Sequence, residues 1–175
     1  MLRLAAVLTA SAAAVVWPAP PNPMALTRSA GLTPETHEFV FLHVHSHLDV
    51  FVDRKRVVVP AGIGIDIHNK AVHKFPEPDG SIIYGGINPP CTKPCISPLH
   101  THSPDGVLHT EAKKNQFNRL GQFFTEWDRK LPAQAKVYVD GKLFKGDPRA
   151  IQLKDKREIA VVIGKAPAKI PSRFP

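Results

Sequence analysis

With 175 residues and 43% hydrophobic side chains, the chain can bury one real core but is too short to expect two domains, and 18 prolines, roughly twice the average share, argue for loops over long helices. The basic balance, 23 Lys and Arg against 15 Asp and Glu, loses only Arg3 and Arg28 when the first 30 residues are set aside, and it contains no run of five like charges. It suits an anionic envelope partner, while the lack of a helix-turn-helix, zinc-finger or RNA-binding strand pattern means that no nucleic-acid partner is expected.

Met1-Leu2-Arg3 followed by residues 4–17, with only Thr9 and Ser11 as polar interruptions, has the charged start and apolar middle of a signal peptide or anchor spanning 1–17. A secreted chain, or one anchored on the extracytoplasmic side, is therefore expected. The stretch falls short of the roughly 20 apolar residues of a bilayer span. Because no small-x-small cleavage site adjoins it, cleavage within residues 11–14, retention as an anchor, and a true start at Met24 are three open alternatives. Residues 18–36 read as a Pro-rich linker, 37–164 as a single histidine-rich, β-rich domain, and 165–175 as a basic disordered tail.

Within the domain a strand is expected over residues 39–52, a turn at Asp53-Arg54-Lys55, and a return strand over 57–60. Side chains alternate faces along a strand, so His43, His45 and His47 share one face with Asp49, away from Leu42, Val44, Leu48, Val50 and Val52. Residues 62–68 alternate again, with Ile63, Ile65 and Ile67 on one face. Residues 69–98 are loop-like with a short strand over 81–84, and end at Cys91-Thr92-Lys93-Pro94-Cys95. In an exported chain Cys91 and Cys95 read as a local disulfide; thiolate ligation and a reduced thiol pair are the alternatives.

Ser103-Pro104-Asp105-Gly106 carries turn chemistry that folds residues 98–111 into a hairpin, placing His100 opposite His109, Thr101 opposite Leu108, and Glu111 further along the face of His109. A helix is expected over residues 118–131, where Leu120, Phe123, Phe124, Trp127 and Leu131 form a core stripe closed by Pro132. Strands over 136–142 and 158–163 follow.

The segments His47-Leu48-Asp49-Val50-Phe51-Val52-Asp53, Val59-Pro60-Ala61-Gly62-Ile63-Gly64, Cys95-Ile96-Ser97-Pro98-Leu99-His100-Thr101-His102, Gly106-Val107-Leu108-His109 and Leu120-Gly121-Gln122-Phe123-Phe124 together resemble a family of exported or membrane-anchored bacterial proteins of uncharacterised function. The resemblance covers about residues 43–164 and implies a small β-rich domain, with Gly at the first hairpin turn where this chain has Arg54. Two sharper likenesses are incomplete. His43-Val44-His45 is similar to the copper-binding His-Val-His of copper/zinc superoxide dismutases, whose other motifs are absent. His100-x-His102 is similar to a cupin, but Glu111 follows nine residues later rather than a few.

The fold class expected is α+β: a small antiparallel sheet of hairpins with one packed amphipathic helix, a β-grasp-like layout being one form of it. Six of the nine histidines lie in the two ladders. Cross-strand Cβ atoms are about 4.5–5.5 Å apart and Zn–N bonds about 2.0–2.1 Å, so His43, His45, His47, His100, His102, His109 and Glu111 form a candidate ligand set for a copper or zinc ion. A metal-binding protein is favoured. The alternatives are a metal-dependent hydrolase or oxidoreductase with Glu111 or Asp105 as base, and a non-metal envelope interaction module whose histidines are spread apart.

Overall fold

The computed structural model describes residues 15–175, so most of the signal or anchor segment lies outside the described residues. In chain order the elements are β1 (Val15–Val16), α1 (Pro23–Ser29), β2 (Leu42–Val52), β3 (Lys55–Val58), β4 (His73–Pro76), β5 (Ile82–Gly85), β6 (Leu99–His100), β7 (Val107–Ala112), α2 (Leu120–Glu126), β8 (Lys136–Val139), β9 (Lys142–Leu143), a 3-10 turn (Pro148–Ala150) and β10 (Arg157–Ile163). The fold is α+β, and the sheets are mainly antiparallel.

Everything is arranged on β2. Its 11 residues are long enough to take two partners in succession along one edge: β7 opposite residues 42–47 and β3 opposite residues 50–52. The other edge pairs in parallel with β10, from Ser46↔Arg157 to Val52↔Ile163. Beyond β7 lies β6, and beyond β10 lie β8 and β9. Leu48 and Val50 on one face of β2 join Leu108, Ile159, Val161 and Val137 in the main core, which α2 covers with Leu120, Phe123, Phe124 and Trp127. Phe51 on the opposite face packs with Ala160 and Val162, and Ile170 lies against them.

The hairpin β6–β7 has the expected register, with His100 opposite His109. Several elements differ from expectation. The helix over residues 118–131 stops at Glu126, because Asp128 takes a positive φ of 53° that turns the chain out of the helix, and Leu131 reaches the core from beyond that turn. Residues 18–36 are not a bare linker: α1 begins with Pro23, whose fixed φ suits a first helical turn, and Thr27 hydrogen-bonds the carboxylate of Glu126 on α2. Nor is the tail disordered. Without regular structure it still packs, Ile170 under the sheet and the Phe174 ring 6.3 Å from that of His47.

The alternating residues 62–68 form a looped segment, because Gly62 and Gly64 adopt positive φ. This loop lies against β6: the Gly62 amide donates to the Thr101 carbonyl, and the Thr101 amide donates to Ile63. A Cβ on Gly64 would sit 2.5 Å from the Leu99 carbonyl oxygen, so only glycine permits the approach. Between loop and β6, residues 69–96 hold the β4–β5 hairpin and a second apolar cluster that includes Cys91 and Cys95, which are bonded to each other. The turn before β3 has Asp53 and Arg54 at φ of 46° and 71°, the left-handed region that favours glycine.

Candidate metal centre

The site is a grid on three neighbouring strands. Register sets His100 of β6 beside His109 of β7, and His109 beside His45 of β2; one step along, Glu111 of β7 faces His43 of β2. His102 follows β6 directly on the face of His100. The shared parity of odd positions on β2 and β7, and of 100 and 102, directs all six side chains to one face.

Donor atoms converge accordingly. His100, His102, His109 and Glu111 present ligand atoms within 4.8 Å of one another, and so do His43, His45 and His109. The Nε2 atoms of His100 and His102 are 3.1 Å apart, those of His43 and His45 3.0 Å apart. Glu111 Oε1 lies 3.2 Å from His43 Nε2, 3.5 Å from His109 Nδ1, 3.8 Å from His100 Nε2 and 3.9 Å from His102 Nε2. The ring of His109 stands between the two pairs, its centroid 4.4 Å from His45 and 4.3 Å from His102.

Backbone carbonyls orient the inner pair. His100 Nδ1 donates to the Ser97 carbonyl at 2.8 Å, and His102 Nδ1 donates to the Tyr84 carbonyl. Spending Nδ1–H in this way leaves each Nε2 with its lone pair directed into the cluster, which is the arrangement found behind metal-bound histidines. At 3.1 Å the two Nε2 atoms need a proton or a metal ion between them. Two nitrogens bound at about 2.0–2.1 Å to a tetrahedral ion would be about 3.3 Å apart, close to what is observed. His109 Nδ1 and Glu111 Oε2 are buried with no hydrogen-bond partner, a second sign of unspent ligating capacity.

The protonation states suit the same role. Burial, with help from the neighbouring His102, holds the fully buried His100 well below the usual imidazole range and therefore neutral at pH 7. Burial likewise lowers His109 and His45. For His102 burial acts against the charged form, but Glu111 and the Tyr84 carbonyl outweigh it and raise its pKa. Burial also opposes ionisation of Glu111, yet the surrounding imidazoles of His102, His109, His100 and His43 overcome it and hold the carboxyl far below the usual range. An ionised carboxylate thus sits among nitrogen donors.

His47 does not join them. Two residues further along β2 it faces Val107 across one edge and Glu158 across the other, so its Nδ1 bonds Glu158 Oε2 at 2.8 Å and its Nε2 bonds the Asp105 carbonyl at 2.9 Å. Both nitrogens thus face oxygen acceptors: burial opposes the charged form, but Glu158 outweighs it and raises the pKa. Asp49 beside it is held by Arg56 at 2.7 Å. The group is a buried ion-pair network, although its donors too are close enough to hold an ion. Asp105, considered above as a base, caps its turn by accepting from Val107 N–H and the Ser103 hydroxyl. His37 and His73 lie outside the grid, against Thr36 and the Asn88 carbonyl.

Sequence reasoning missed two carboxylates. Glu158 belongs to a strand 111 residues from His47, a pairing that no local pattern announces. Glu126 is fully buried between the Ser97 and Thr27 hydroxyls, and burial pushes its pKa up to about 7; lying off the apolar stripe, it gave no local signal of this burial. Beside the centre, a cleft of about 370 Å³ reaches Glu111 and is lined by Glu35, Phe39, Lys113, Asn118 and Gln122 among others.

Fold and site together define an α+β domain carrying histidine and glutamate side chains grouped so that they could hold a metal ion. No protein-family model, no curated protein and no solved structure matches the chain.

Proposed function

We propose that this is an exported metal-binding protein that holds a copper or zinc ion through His100, His102, His109 and Glu111. One observation carries the reading: His100 and His102 commit their Nδ1–H groups to backbone carbonyls and so direct their Nε2 atoms at each other, 3.1 Å apart, beside a buried carboxylate. Imidazole and carboxylate donors suit zinc and cupric ion; Cys91 and Cys95, joined as a disulfide, add no thiolate. Export is supported by the charged and apolar N-terminal pattern and by the disulfide, which persists in oxidising compartments. Among the described residues no helix is long and apolar enough to cross a membrane.

The cleft beside Glu111 favours a second reading, a metal-dependent enzyme, in which that cleft receives the substrate. Metal analysis of protein purified without a His tag tests the main proposal. Replacing His100 and His102 together should abolish tight zinc and copper binding at neutral pH, whereas His37→Ala and His73→Ala should leave it intact. Undiminished binding by the double variant would refute the assignment.

A further inference from the structure

We infer that the centre is dinuclear: a second divalent ion sits on its solvent side against His43 and His45, bridged to the first by the Glu111 carboxylate of the central strand. This rests on the metal-binding reading above and extends it.

The donor count is the starting point. Zinc in protein sites takes four ligands, and the inner group of His100, His102, His109 and Glu111 already supplies four. His43 and His45 are then surplus, yet they are not placed as surplus polar side chains would be. Their Nε2 atoms face each other at 3.0 Å, the same approach that His100 and His102 make on the other side of the grid. With His109 they form their own group of donors within 4.8 Å, and the two groups have only His109 in common.

The central strand supplies what two ions would have to share. Glu111 is the grid's one carboxylate, and its Oε1 lies nearest to His43 Nε2, at 3.2 Å, while remaining within 3.8 and 3.9 Å of the Nε2 atoms of the inner pair. Its Oε2 is buried without a partner. A carboxylate with one oxygen between both groups and the other unspent can serve two cations at once. Such bridging offsets the mutual repulsion of two ions held as close as in two-metal sites, about 3.5–4 Å.

The two positions differ in access. His100 is fully buried, whereas 38% of the His43 side chain is exposed. The inner ion would be closed in by protein, and the outer one would retain coordination positions open to water or a small anionic ligand. The outer ion is accordingly the one to exchange with solvent.

Stoichiometry and spin coupling test this. Full-length tag-free protein, stripped by chelator, is dialysed to equilibrium against zinc or cupric ion and its metal content measured per chain, alongside the His43→Gln/His45→Gln double variant; circular dichroism confirms that the variant is folded. The expected result is two ions per wild-type chain and one per variant chain. The cupric spectrum in electron paramagnetic resonance should be coupled or broadened in the loaded wild type and should return to that of an isolated ion in the variant. Saturation of the wild type at one ion would overturn the dinuclear inference and leave the metal-binding reading standing. Two ions retained by the variant, or two uncoupled ions in the wild type, would overturn the assignment to His43 and His45. Absence of binding would overturn both readings.

Discussion

Glu126 makes the stability of this protein depend on pH in an unusual direction. Its carboxyl is fully buried, accepts hydrogen bonds from Ser97 Oγ at 2.6 Å and Thr27 Oγ1 at 3.0 Å, and has a pKa raised by burial from 4.5 to about 7. Below pH 4.5 the group is protonated whether the chain is folded or not, so it costs nothing. Between 4.5 and 7 the unfolded chain releases the proton and the folded chain keeps it, so stability falls by about 1.4 kcal/mol per pH unit. Above 7 the loss levels off at roughly 3 kcal/mol. Glu126→Gln removes the titration while retaining groups that can accept from one hydroxyl and donate to the other. Urea unfolding of metal-free protein should therefore show the variant more stable than wild type by about 2–3 kcal/mol at pH 8, with the difference shrinking toward zero near pH 4.5. A difference that does not change with pH would refute the reasoning.

The remaining predictions follow from packing, backbone, sulfur and ligand chemistry. Trp127→Ala should cost about 3–5 kcal/mol in the same unfolding assay, because the fully buried ring contacts Phe123, Phe124 and Trp17 and its loss leaves a cavity; a change below about 0.5 kcal/mol would mark it as a surface position. Arg54→Gly should raise stability by about 1 kcal/mol, since φ of 71° penalises any side chain there, and a lower denaturation midpoint would count against it. Mass spectrometry of purified protein before and after reduction should show a gain of two hydrogen atoms, about 2 Da, at Cys91 and Cys95, whereas alkylation of both without reduction would contradict the pairing. Zinc affinity measured by competition should weaken toward pH 5, as protonated imidazole cannot ligate; an unchanged affinity would point to donors other than histidine.

Local chemistry made much of the site legible. The period-two alternation put His43 and His45 on one face, and the Pro104-Asp105-Gly106 turn set the hairpin register that pairs His100 with His109. What stayed hidden depends on contacts remote in sequence. Nothing in residues 43–49 reveals that β10 pairs alongside β2 and gives His47 a carboxylate of its own. The apolar stripe after Asn118 outruns the helix because Leu131 falls in phase with it yet reaches the core from a turned chain, and α1 has no local signature because prolines that begin a short helix look the same as prolines in a linker. Residues 62–68 kept a strand-like alternation of isoleucines, but the glycines between them bend the backbone around β6.

Trp17 bears on how the N-terminal segment is read. Its ring lies 5.5 Å from that of Trp127, and its carbonyl accepts the Trp127 indole N–H at 3.3 Å, while the two residues before it pair with β3. The boundary between the apolar N-terminal segment and the proline run is thus also a piece of the core. A peptidase cutting within residues 11–14 would leave that piece in place and release an intact domain. A chain initiated at Met24 would lack it, leaving one side of the Trp127 ring bare and its indole N–H without that acceptor. The two chains would then differ in tryptophan fluorescence and in melting temperature, so the position of the N-terminus can be read from the stability of the body it precedes.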